Sequence, residues 1–501
     1  MRKRQMPRLH EHMSFTHLTS EADSENRRFS ESLPVMYSCT IFTTGGTRMV
    51  GRNTELKELA QAYAQFGNQL IVLYGRRGIG KRELLKEFLQ DKKYVYYTAR
   101  QASPKLQRQF MGREIEKKYQ IKLQDFEYDT FFARIRSGDA SKLVLVVEDF
   151  EYIAKKDPDF MESIGKLKDK RLYPGPVMII LCSSAIAWVE NDMVGCLGAC
   201  ARKVTGVRKL SELGFVDVVH LLPDYGVREC IQVYGILGGV SSYLKRWDAS
   251  KSLKENICCH ILSEDGFLYR EAETYTGESL RELSIYNTIL EALAAGKSKL
   301  NDLYAYTGFS RAKISVYLKN LMALDIAERV NSFETGGWEN AQKGLYGIRD
   351  TYIHFWYRFV YPNLTDLHLM NEDDFFDAYI GPELEEYLND CFRNVCMEYL
   401  RLMSMVKQLP IQIHRMGTWV GKQGSIDIIA QNAVREYIVG LCNWSEEFLT
   451  EEMYRQLLAG MKQAKIKAKK YYLFSAKDFT PEIHQLAEEN EDIVLVDMNH
   501  L

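Results

Sequence analysis

The sequence has no run of about 18 consecutive apolar residues, so no membrane-spanning helix is expected. Its basic N-terminus lacks an apolar core segment and is therefore not a signal peptide. The formal net charge is only −2 over 501 residues. A protein of this charge has no overall attraction for nucleic acid, and any such contact must come from a local basic patch.

The ten cysteines do not include a C-x-x-C pair. The loosely spaced pairs Cys196/Cys200 and Cys391/Cys396 have no histidine nearby, so a metal site is not indicated. Buried, reduced thiols are the better interpretation, and they are typical of a cytosolic protein. At roughly 150 residues for each domain, the length predicts about three domains. Polar, aperiodic residues 1–48 are predicted to form a disordered tail.

The most informative stretch is LIVLYGRRGIGKR, residues 70–82. Mostly apolar residues predict a buried strand, and the following ELLKEFLQ predicts a helix. A glycine-rich turn in this setting binds phosphate, because backbone N–H groups and the helix N-terminus point at the anion. The G-x-x-x-x-G-K spacing therefore predicts a nucleotide-binding loop that consists of Gly75, Arg76, Arg77, Gly78, Ile79, Gly80, Lys81 and Arg82.

The loop departs from the full motif at Arg82. Ser or Thr in this place ligates Mg²⁺ through its hydroxyl group, and a guanidinium group cannot do so. The loop is therefore predicted to hold the phosphates of ATP but to be poorly equipped for magnesium.

Three more apolar stretches, KYVYYTA at 93–99, KLVLVV at 142–147 and PVMIILC at 176–182, alternate with helical patterns. They predict an α/β fold with a parallel sheet and helices on both faces. The second stretch ends in Glu148 and Asp149, which are the candidate catalytic residues. Glu148 would hold Mg²⁺ and Asp149 would orient a water, as in nucleotide hydrolases. The alternative is an acid-rich start of a helix.

Residues 215–285 are predicted to form a helical lid or, equally, a plain helix–helix turn at Gly238 and Gly239. Residues 286–350 hold three helices, the third capped by Ser310, followed by a hairpin; this is the pattern of a winged helix. Arg311, Lys313 and Lys319 are the residues predicted to face DNA phosphates, although such domains also serve as protein contacts.

Residues 376–501 are predicted to form a second α/β unit that begins with a helix bearing Glu385 and Glu386. A metal nuclease needs an Asp on one strand and Glu-x-Lys on the next. Here Asp427 is followed by Leu441 and Asn443 at the places of the Glu and the Lys. Asp427 is therefore predicted to be the remnant of a metal site rather than part of an active one.

Together these motifs resemble the archaeal-type ATPases of the AAA+/STAND group, which end in a PD-(D/E)xK nuclease-like domain of unknown function. The resemblance covers about 49–501, nearly the whole chain. Its carriers are VGR from Val50, YGRRGIGK, VVEDF, LCSS, ILGGVSSYL, the winged helix, RFVYPN and GSIDIIAQ with GLCNW.

The resemblance implies ATP binding through Gly75, Gly80 and Lys81. It also implies a P-loop ATPase core over 49–214, a lid over 215–285, a winged helix over 286–350, a linker over 351–375 and a restriction-endonuclease-like α/β domain over 376–501.

The chain departs from this family where chemistry takes place. Glu148-Asp149 reverses the usual Asp-Glu order, Arg82 replaces Ser or Thr, and Ser241 replaces a lid proline. We therefore predict an ATP-binding switch with impaired hydrolysis, an inactive nuclease-like domain and an unidentified protein partner. The alternatives are an active ATPase that acts on nucleic acid or a partner protein, and a scaffold that binds no nucleotide.

Overall fold

The computed structural model describes residues 50–135, 141–169, 176–333, 344–421 and 424–501. The predicted tail at 1–48 and the Gly336-Gly337 tip of the predicted hairpin lie outside the described residues. Within the described residues, no helix is both long and apolar enough to cross a membrane.

A five-stranded parallel sheet forms the N-terminal part of the structure. Its strand order is β2-β3-β4-β1-β5, and every neighbouring pair runs parallel. The elements in chain order are α1 (Asn53–Ala64), β1 (Gln69–Tyr74), α2 (Lys81–Leu89), β2 (Tyr94–Thr98), α3 (Pro104–Tyr119), α4 (Tyr128–Arg134), β3 (Leu143–Glu148), α5 (Glu151–Ala154), α6 (Pro158–Lys168), β4 (Val177–Ser183), α7 (Ile186–Asn191), α8 (Met193–Leu197) and β5 (Gly206–Lys209).

Strands β1, β3 and β4 are buried along their whole length, because helices cover both faces of the sheet. This confirms the predicted fold class. The carboxyl ends of the three strands meet at one edge, where ligands bind in such sheets. Helix α1 ends at Ala64, and Phe66 beyond it is 96% exposed.

The middle of the chain is helical apart from one short hairpin. Strands β6 and β7 pair antiparallel after three helices, as the winged-helix pattern predicts. The hydroxyl of Ser310 accepts the N–H of Lys313 and so caps the third helix, α16. The elements are α9 (Phe215–Leu221), α10 (Val227–Leu237), α11 (Ser241–Leu244), α12 (Leu253–Ile257), α13 (Glu271–Ser279), α14 (Leu283–Ala294), α15 (Leu300–Thr307), α16 (Arg311–Ala323), β6 (Ala327–Val330) and β7 (Leu345–Ile348).

A second five-stranded sheet, of order β14-β12-β10-β9-β8, forms the C-terminal part. Strands β10, β12 and β14 are parallel, and β9 runs antiparallel to β8 and β10. The elements are α17 (Thr351–Phe355), α18 (Leu364–Leu369), α19 (Glu372–Phe375), α20 (Gly381–Tyr387), α21 (Asn389–Met405), β8 (Arg415–Val420), β9 (Ser425–Gln431), β10 (Tyr437–Asn443), β11 (Phe448–Leu449), α22 (Glu451–Ala464), β12 (Ala468–Ser475), β13 (Asp478–Phe479), α23 (Pro481–Glu489) and β14 (Ile493–Val496).

The largest hydrophobic core extends from Leu213 to Leu501. It joins the predicted lid, the three-helix segment and the second sheet. The predicted linker at 351–375 is largely helical, and its aromatic side chains pack into this core: Tyr352, Phe355, Trp356, Tyr357 and Phe359 are buried. The predicted domain boundaries stay predictions. Because these segments share one core, a movement of one segment changes the packing of the others.

Candidate functional site

The predicted loop joins the carboxyl end of β1 to the start of α2, which is the setting of a phosphate-binding loop. Gly78 and Gly80 have φ values of 79° and 98°, in the region that favours glycine. A Cβ atom on Gly78 would lie 2.3 Å from the hydroxyl oxygen of Ser242. Glycine is therefore required at Gly78 both by the backbone and by a close neighbour.

The ammonium group of Lys81 lies inside the loop. It donates hydrogen bonds to the carbonyl oxygens of Gly75, at 2.6 Å, and Arg76, at 2.8 Å. Burial lowers the pKa of Lys81, and the nearby carboxyl groups of Asp149 and Glu148 act against this decrease. The buried ammonium group thus bonds to carbonyl oxygens of the loop. The oxygens of a bound phosphate can take the place of these carbonyl oxygens.

Arg82 forms an ion pair with Glu148. Its Nη2 atom lies 2.9 Å from Glu148 Oε2, and the hydroxyl groups of Tyr96 and Thr98 each donate to the same oxygen at 3.1 Å. The hydrogen bond to Glu148 raises the pKa of Arg82. One oxygen of the carboxylate predicted to hold Mg²⁺ thus already accepts hydrogen bonds from three residues, and a magnesium ion at this oxygen would have to displace Arg82.

Asp149 follows β3 in a left-handed turn, with φ 52°. Its side chain is half-buried, and burial, followed by the charge of Glu148, raises its pKa. The structure therefore brings both predicted acids to the same end of β3. They differ in that the carboxylate of Glu148 is bound by Arg82, whereas no hydrogen bond to the carboxylate of Asp149 is found among the described residues.

Arg76 is only 4% exposed and connects three distant parts of the chain. Its guanidinium group pairs with Asp350 and, at 3.2 Å, with Glu212, and it donates to the hydroxyl of Tyr243 at 3.0 Å. We name these four residues the Arg76 cluster. The nearby carboxylate of Asp350 raises the pKa of Arg76 well above its ordinary value, in spite of burial.

Sequence reasoning missed the partners of Arg76, because they are separated from it by 136 to 274 residues. The sequence offers only a weak signal, which is that these acidic residues stand close to the ends of helices and strands. Glu212 follows β5, and Asp350 caps α17 by accepting the N–H of Ile353 at 3.0 Å. Arg77, in contrast, forms an exposed ion pair with Glu271 at 3.1 Å.

The predicted lid lies directly on the loop. The N–H of Ser242 donates to the carbonyl oxygen of Gly78 at 2.9 Å, and the buried Ser241 faces Gly80. A cavity of about 10 Å³ remains between the lid and the loop, next to Val50 and Lys245. At this point between the predicted lid and the loop, the cavity is far too small for a nucleotide.

In the second sheet, Asp427 stands on β9 and accepts the N–H of Cys442 at 2.9 Å. Burial raises the pKa of Asp427, and the nearby Arg393 opposes the increase. Asp390, on α21, also acts on Asp427 and pairs with Arg393 at 2.8 Å. The acid on the helix that acts on Asp427 is thus Asp390, which the sequence analysis did not identify.

Glu385, on the helix that begins the predicted nuclease-like domain, pairs with Arg228 at 2.6 Å. The amide of Asn443, at the place of the nuclease lysine, donates to the hydroxyl of Ser475 at 3.3 Å. Across the described ranges, no group of three or more His, Cys, Asp or Glu residues is arranged to hold a metal ion.

The three basic residues of α16 do not form one patch. Arg311 lies over the ring of Tyr304, and Lys313 lies over the ring of Phe309 on another side of the helix. Lys319 is exposed, two turns after Arg311. Only Arg311 and Lys319 therefore present charge on neighbouring parts of the helix surface.

The parallel sheet, the glycine loop and the helix that begins at Lys81 define an α/β protein of the P-loop NTPase fold. Residues 356–467 match the model of the DUF234 family, described as "Archaea bacterial proteins of unknown function". An uncharacterized protein of Methanocaldococcus jannaschii is 26% identical over 390 residues, which span 76% of this chain and 84% of that protein.

A second protein of that organism, called an uncharacterized ATP-binding protein, is 43% identical over 49 residues, 10% of this chain and 83% of that protein. The chain therefore belongs to the same family as this short relative. Among solved structures, the Walker-type ATPase of Pyrococcus abyssi is 14% identical with a TM-score of 0.46, and the match covers 62% of this chain and 96% of that chain.

Proposed function

We propose that the protein is an ATP-binding switch in which the nucleotide sets the position of the lid and the following helical segments. The observation that carries the proposal is the Arg76 cluster. Arg76 belongs to the phosphate-binding loop, Tyr243 belongs to α11 of the lid, and Asp350 caps the first helix after the hairpin. A rearrangement of the loop is therefore transmitted directly to both neighbours.

Two further contacts support a coupling between the nucleotide and the lid. Lys81 is bound to loop carbonyl groups, and Ser242 is bound to Gly78. A triphosphate needs the ammonium group of Lys81 and the N–H groups of the loop, and it needs more space than the present cavity of about 10 Å³. Its entry must therefore break or shift contacts that hold the lid closed. The ATP-binding name of the short relative agrees with this ligand.

We propose further that hydrolysis is impaired, because Arg82 stands where the motif has its Mg²⁺ ligand. It also binds Glu148, the carboxylate that would hold the metal. Its side chain is 56% exposed, so the guanidinium group also has room to pair with phosphate. Arginine binds phosphate oxygens through two parallel hydrogen bonds. The alternative is an active ATPase in which Glu148 serves the metal and Asp149 the water. A scaffold that binds no nucleotide is the remaining alternative.

Calorimetric titration of ATP into the full chain, with Mg²⁺ and with a chelator, tests the proposal. We expect binding in both conditions, with affinities within about threefold of each other. Binding that needs Mg²⁺, accompanied by steady turnover, would favour the active ATPase. Absence of binding in both conditions would contradict the switch and favour the scaffold.

For the C-terminal part we propose a nuclease-like domain without nuclease activity, because Leu441 and Asn443 cannot supply a metal-ligating carboxylate and a charged amine. Incubation with duplex and single-stranded DNA and Mg²⁺ should give no cleavage. Cleavage that is lost in Asp427→Asn would contradict this proposal.

DNA binding through α16 is a second candidate function, which the exposed Arg311 and Lys319 favour. Phosphate contacts make affinity depend on salt. We expect the variant Arg311→Ala/Lys319→Ala to weaken duplex DNA binding and to flatten its salt dependence, while Lys313→Ala, on the other side of the helix, has a smaller effect. Equal effects of the two variants would contradict the assignment.

A further inference from the structure

One end of the second sheet brings together positively charged residues that the proposed function does not use. Arg415 is the first residue of β8 and pairs in register with Gln431, the last residue of β9. Gln431 pairs with Tyr437 at the start of β10, and Tyr437 pairs with Ala468 at the start of β12. The residues that begin or precede β8, β10 and β12 therefore lie next to each other, although they are distant in sequence.

The side chains at this end of the sheet are basic and exposed. Arg415 begins β8, Arg435 lies in the connection from β9 to β10, and Lys467 immediately precedes β12. Helix α22 leads to the same point and adds Lys462 in its last turn and Lys465 directly after it. We name these five residues the basic end. Neighbouring strands lie about 4.8 Å apart, so the row from β8 to β12 is about 14 Å wide.

The positive charge of the basic end is largely uncompensated. Among the described residues, no ion pair to any of its five members is found. The nearby acid Glu436 pairs at 2.6 Å with a further lysine, Lys469 on β12. Lys470 donates to the carbonyl oxygen of Glu491 at 3.0 Å, next to the start of β14, so Glu491 and Asp492 lie on the other side of β12. A local excess of positive charge therefore remains, in a chain of net charge −2.

The dipole of α22 does not explain this row. Cations are favourable near the C-terminal carbonyl groups of a helix, which accounts for Lys462 and Lys465. Arg415, Arg435 and Lys467 belong to the ends of strands, and a sheet has only a small net dipole. Three cations from separate parts of the chain thus converge at one surface without a structural need for their charge.

A phosphate backbone is the partner that this surface fits. Lysine and arginine neutralise the phosphates of nucleic acid, and the counterions that are released favour association. A lipid surface fits less well, because attachment to it takes an apolar group besides the basic ones. Of the apolar residues in segments 433–435 and 462–467, Ala464 and Ile466 are buried, and Val434 alone is both large and exposed.

We propose that the basic end of the second sheet is a binding site for the phosphate backbone of duplex nucleic acid. The site lies at the opposite end of the sheet from Asp427, whose carboxylate accepts the N–H of Cys442 near the end of β10. Five residue steps along β10 separate Cys442 from Tyr437, a distance of about 17 Å. Binding at the basic end therefore uses neither the predicted remnant of a metal site nor the nucleotide loop.

Fluorescence anisotropy of a labelled DNA duplex, titrated with the full chain at several salt concentrations, tests the proposal. The variant Arg435→Gln/Lys465→Gln/Lys467→Gln removes three charges of the basic end. Arg415 is left in place because its guanidinium group lies over the ring of Phe333 at 5.2 Å. The slope of log affinity against log salt should become shallower by about three, one for each lost phosphate contact. Affinity at low salt should fall about tenfold or more.

The matched control removes the same charge from helices α1 and α3 of the first part of the structure. It changes three exposed lysines to glutamine, namely Lys57, Lys105 and Lys117, and it should keep the wild-type affinity and slope. Unchanged binding in the first variant, or an equal loss in both variants, would overturn the inference. Absence of nucleic-acid binding by the wild-type protein would also overturn it.

Three further measurements complete the test. DNA and RNA duplexes of the same sequence share the phosphate backbone, so tighter binding of either one supports the proposal and identifies the source. Binding to vesicles of anionic lipid without binding to either duplex would overturn it. If the triple variant does not fold, Lys467→Gln alone should make the slope shallower by about one, and an unchanged slope would contradict the proposal. Calorimetric titration of ATP tests the proposed switch separately.

Discussion

The two carboxylates that the sequence marks for magnesium, Glu148 and Asp427, lie on strands of two different sheets and have different surroundings. Arg82, Tyr96 and Thr98 all donate to one oxygen of Glu148. Asp427 accepts one backbone N–H, and burial raises its pKa. In the first site a guanidinium group pairs with the carboxylate directly. In the second site the charge is only partly compensated.

On our proposal that both carboxylates are remnants of metal sites, the difference corresponds to two ways in which such a site can lose its metal. A bonded arginine keeps a guanidinium group beside the loop, and guanidinium groups also pair with phosphate oxygens. Removal of the partner charges leaves an acid that burial drives towards its neutral form. We therefore expect ligand-binding chemistry at the carboxylate of the first sheet, and we expect mutation to have the smallest effects at the carboxylate of the second.

The largest expected effect comes from Arg76→Ala, which tests how strongly the first site is connected to the rest of the chain. The change leaves the buried Asp350 and the partly buried Glu212 without their shared cation. Removal of one partner from a buried ion pair costs about 3–5 kcal/mol. We expect urea unfolding to begin at a markedly lower concentration, as followed by circular dichroism.

Arg77→Ala is the matched control for Arg76→Ala. It removes an adjacent loop arginine whose ion pair with Glu271 is exposed, and exposed pairs contribute about 0–1 kcal/mol. A similar loss of stability in both variants would contradict the special role of the Arg76 cluster.

An intermediate effect is expected from Arg82→Thr, which restores the hydroxyl group and frees Glu148. ATP affinity in the variant should increase by about tenfold or more when Mg²⁺ replaces a chelator, whereas wild-type affinity should change by less than about threefold. A tenfold change corresponds to ~1.4 kcal/mol. Calorimetric titration under both conditions provides the measurement.

Arg208→Thr is the control for Arg82→Thr. Arg208 is similarly exposed and pairs with Glu58 at 2.8 Å, on the edge strand β5. The Arg208→Thr variant should bind ATP as the wild-type protein does, both with Mg²⁺ and with a chelator. If the metal response of Arg82→Thr equals that of this control, the arginine does not replace the metal.

The sequence predicts the loop and the first sheet well, because local patterns determine them. Apolar runs of strand length, glycines at fixed spacing and a helix immediately after Lys81 are sufficient. The same is true of the three helices and the antiparallel hairpin, in which Ser310 caps α16 as predicted. These features depend on residues that are neighbours in the chain.

The sequence does not predict the contacts that tie the loop to the rest of the chain. The Arg76–Asp350 pair spans 274 residues, and no local pattern connects the two. Asp390, the acid on α21 that acts on Asp427, is missed for a related reason, since its position depends on which face of α21 packs on the sheet.

The smallest effect, from Asp427→Asn, sharpens the comparison between the two carboxylates. Because burial raises the pKa of Asp427, the folded state binds more protons than the unfolded state just above the ordinary pKa of Asp. Stability from this group is therefore lost as pH rises through that window, and it returns in acid. Asn can still accept the N–H of Cys442, so at neutral pH we expect unchanged or slightly higher stability, within about 1 kcal/mol.

Glu148→Gln is the matched change at the first site, and it should lower the stability of the fold instead of leaving it unchanged or raising it. It replaces the charge-assisted hydrogen bond from Arg82 with a neutral one, which should cost about 1–2 kcal/mol. Urea unfolding at neutral and at acid pH measures both variants. The advantage of Asp427→Asn should disappear in acid, where the wild-type carboxyl group is already neutral. A loss of stability in Asp427→Asn equal to that in Glu148→Gln would mean that both sites retain a needed negative charge, and the contrast between them would no longer hold.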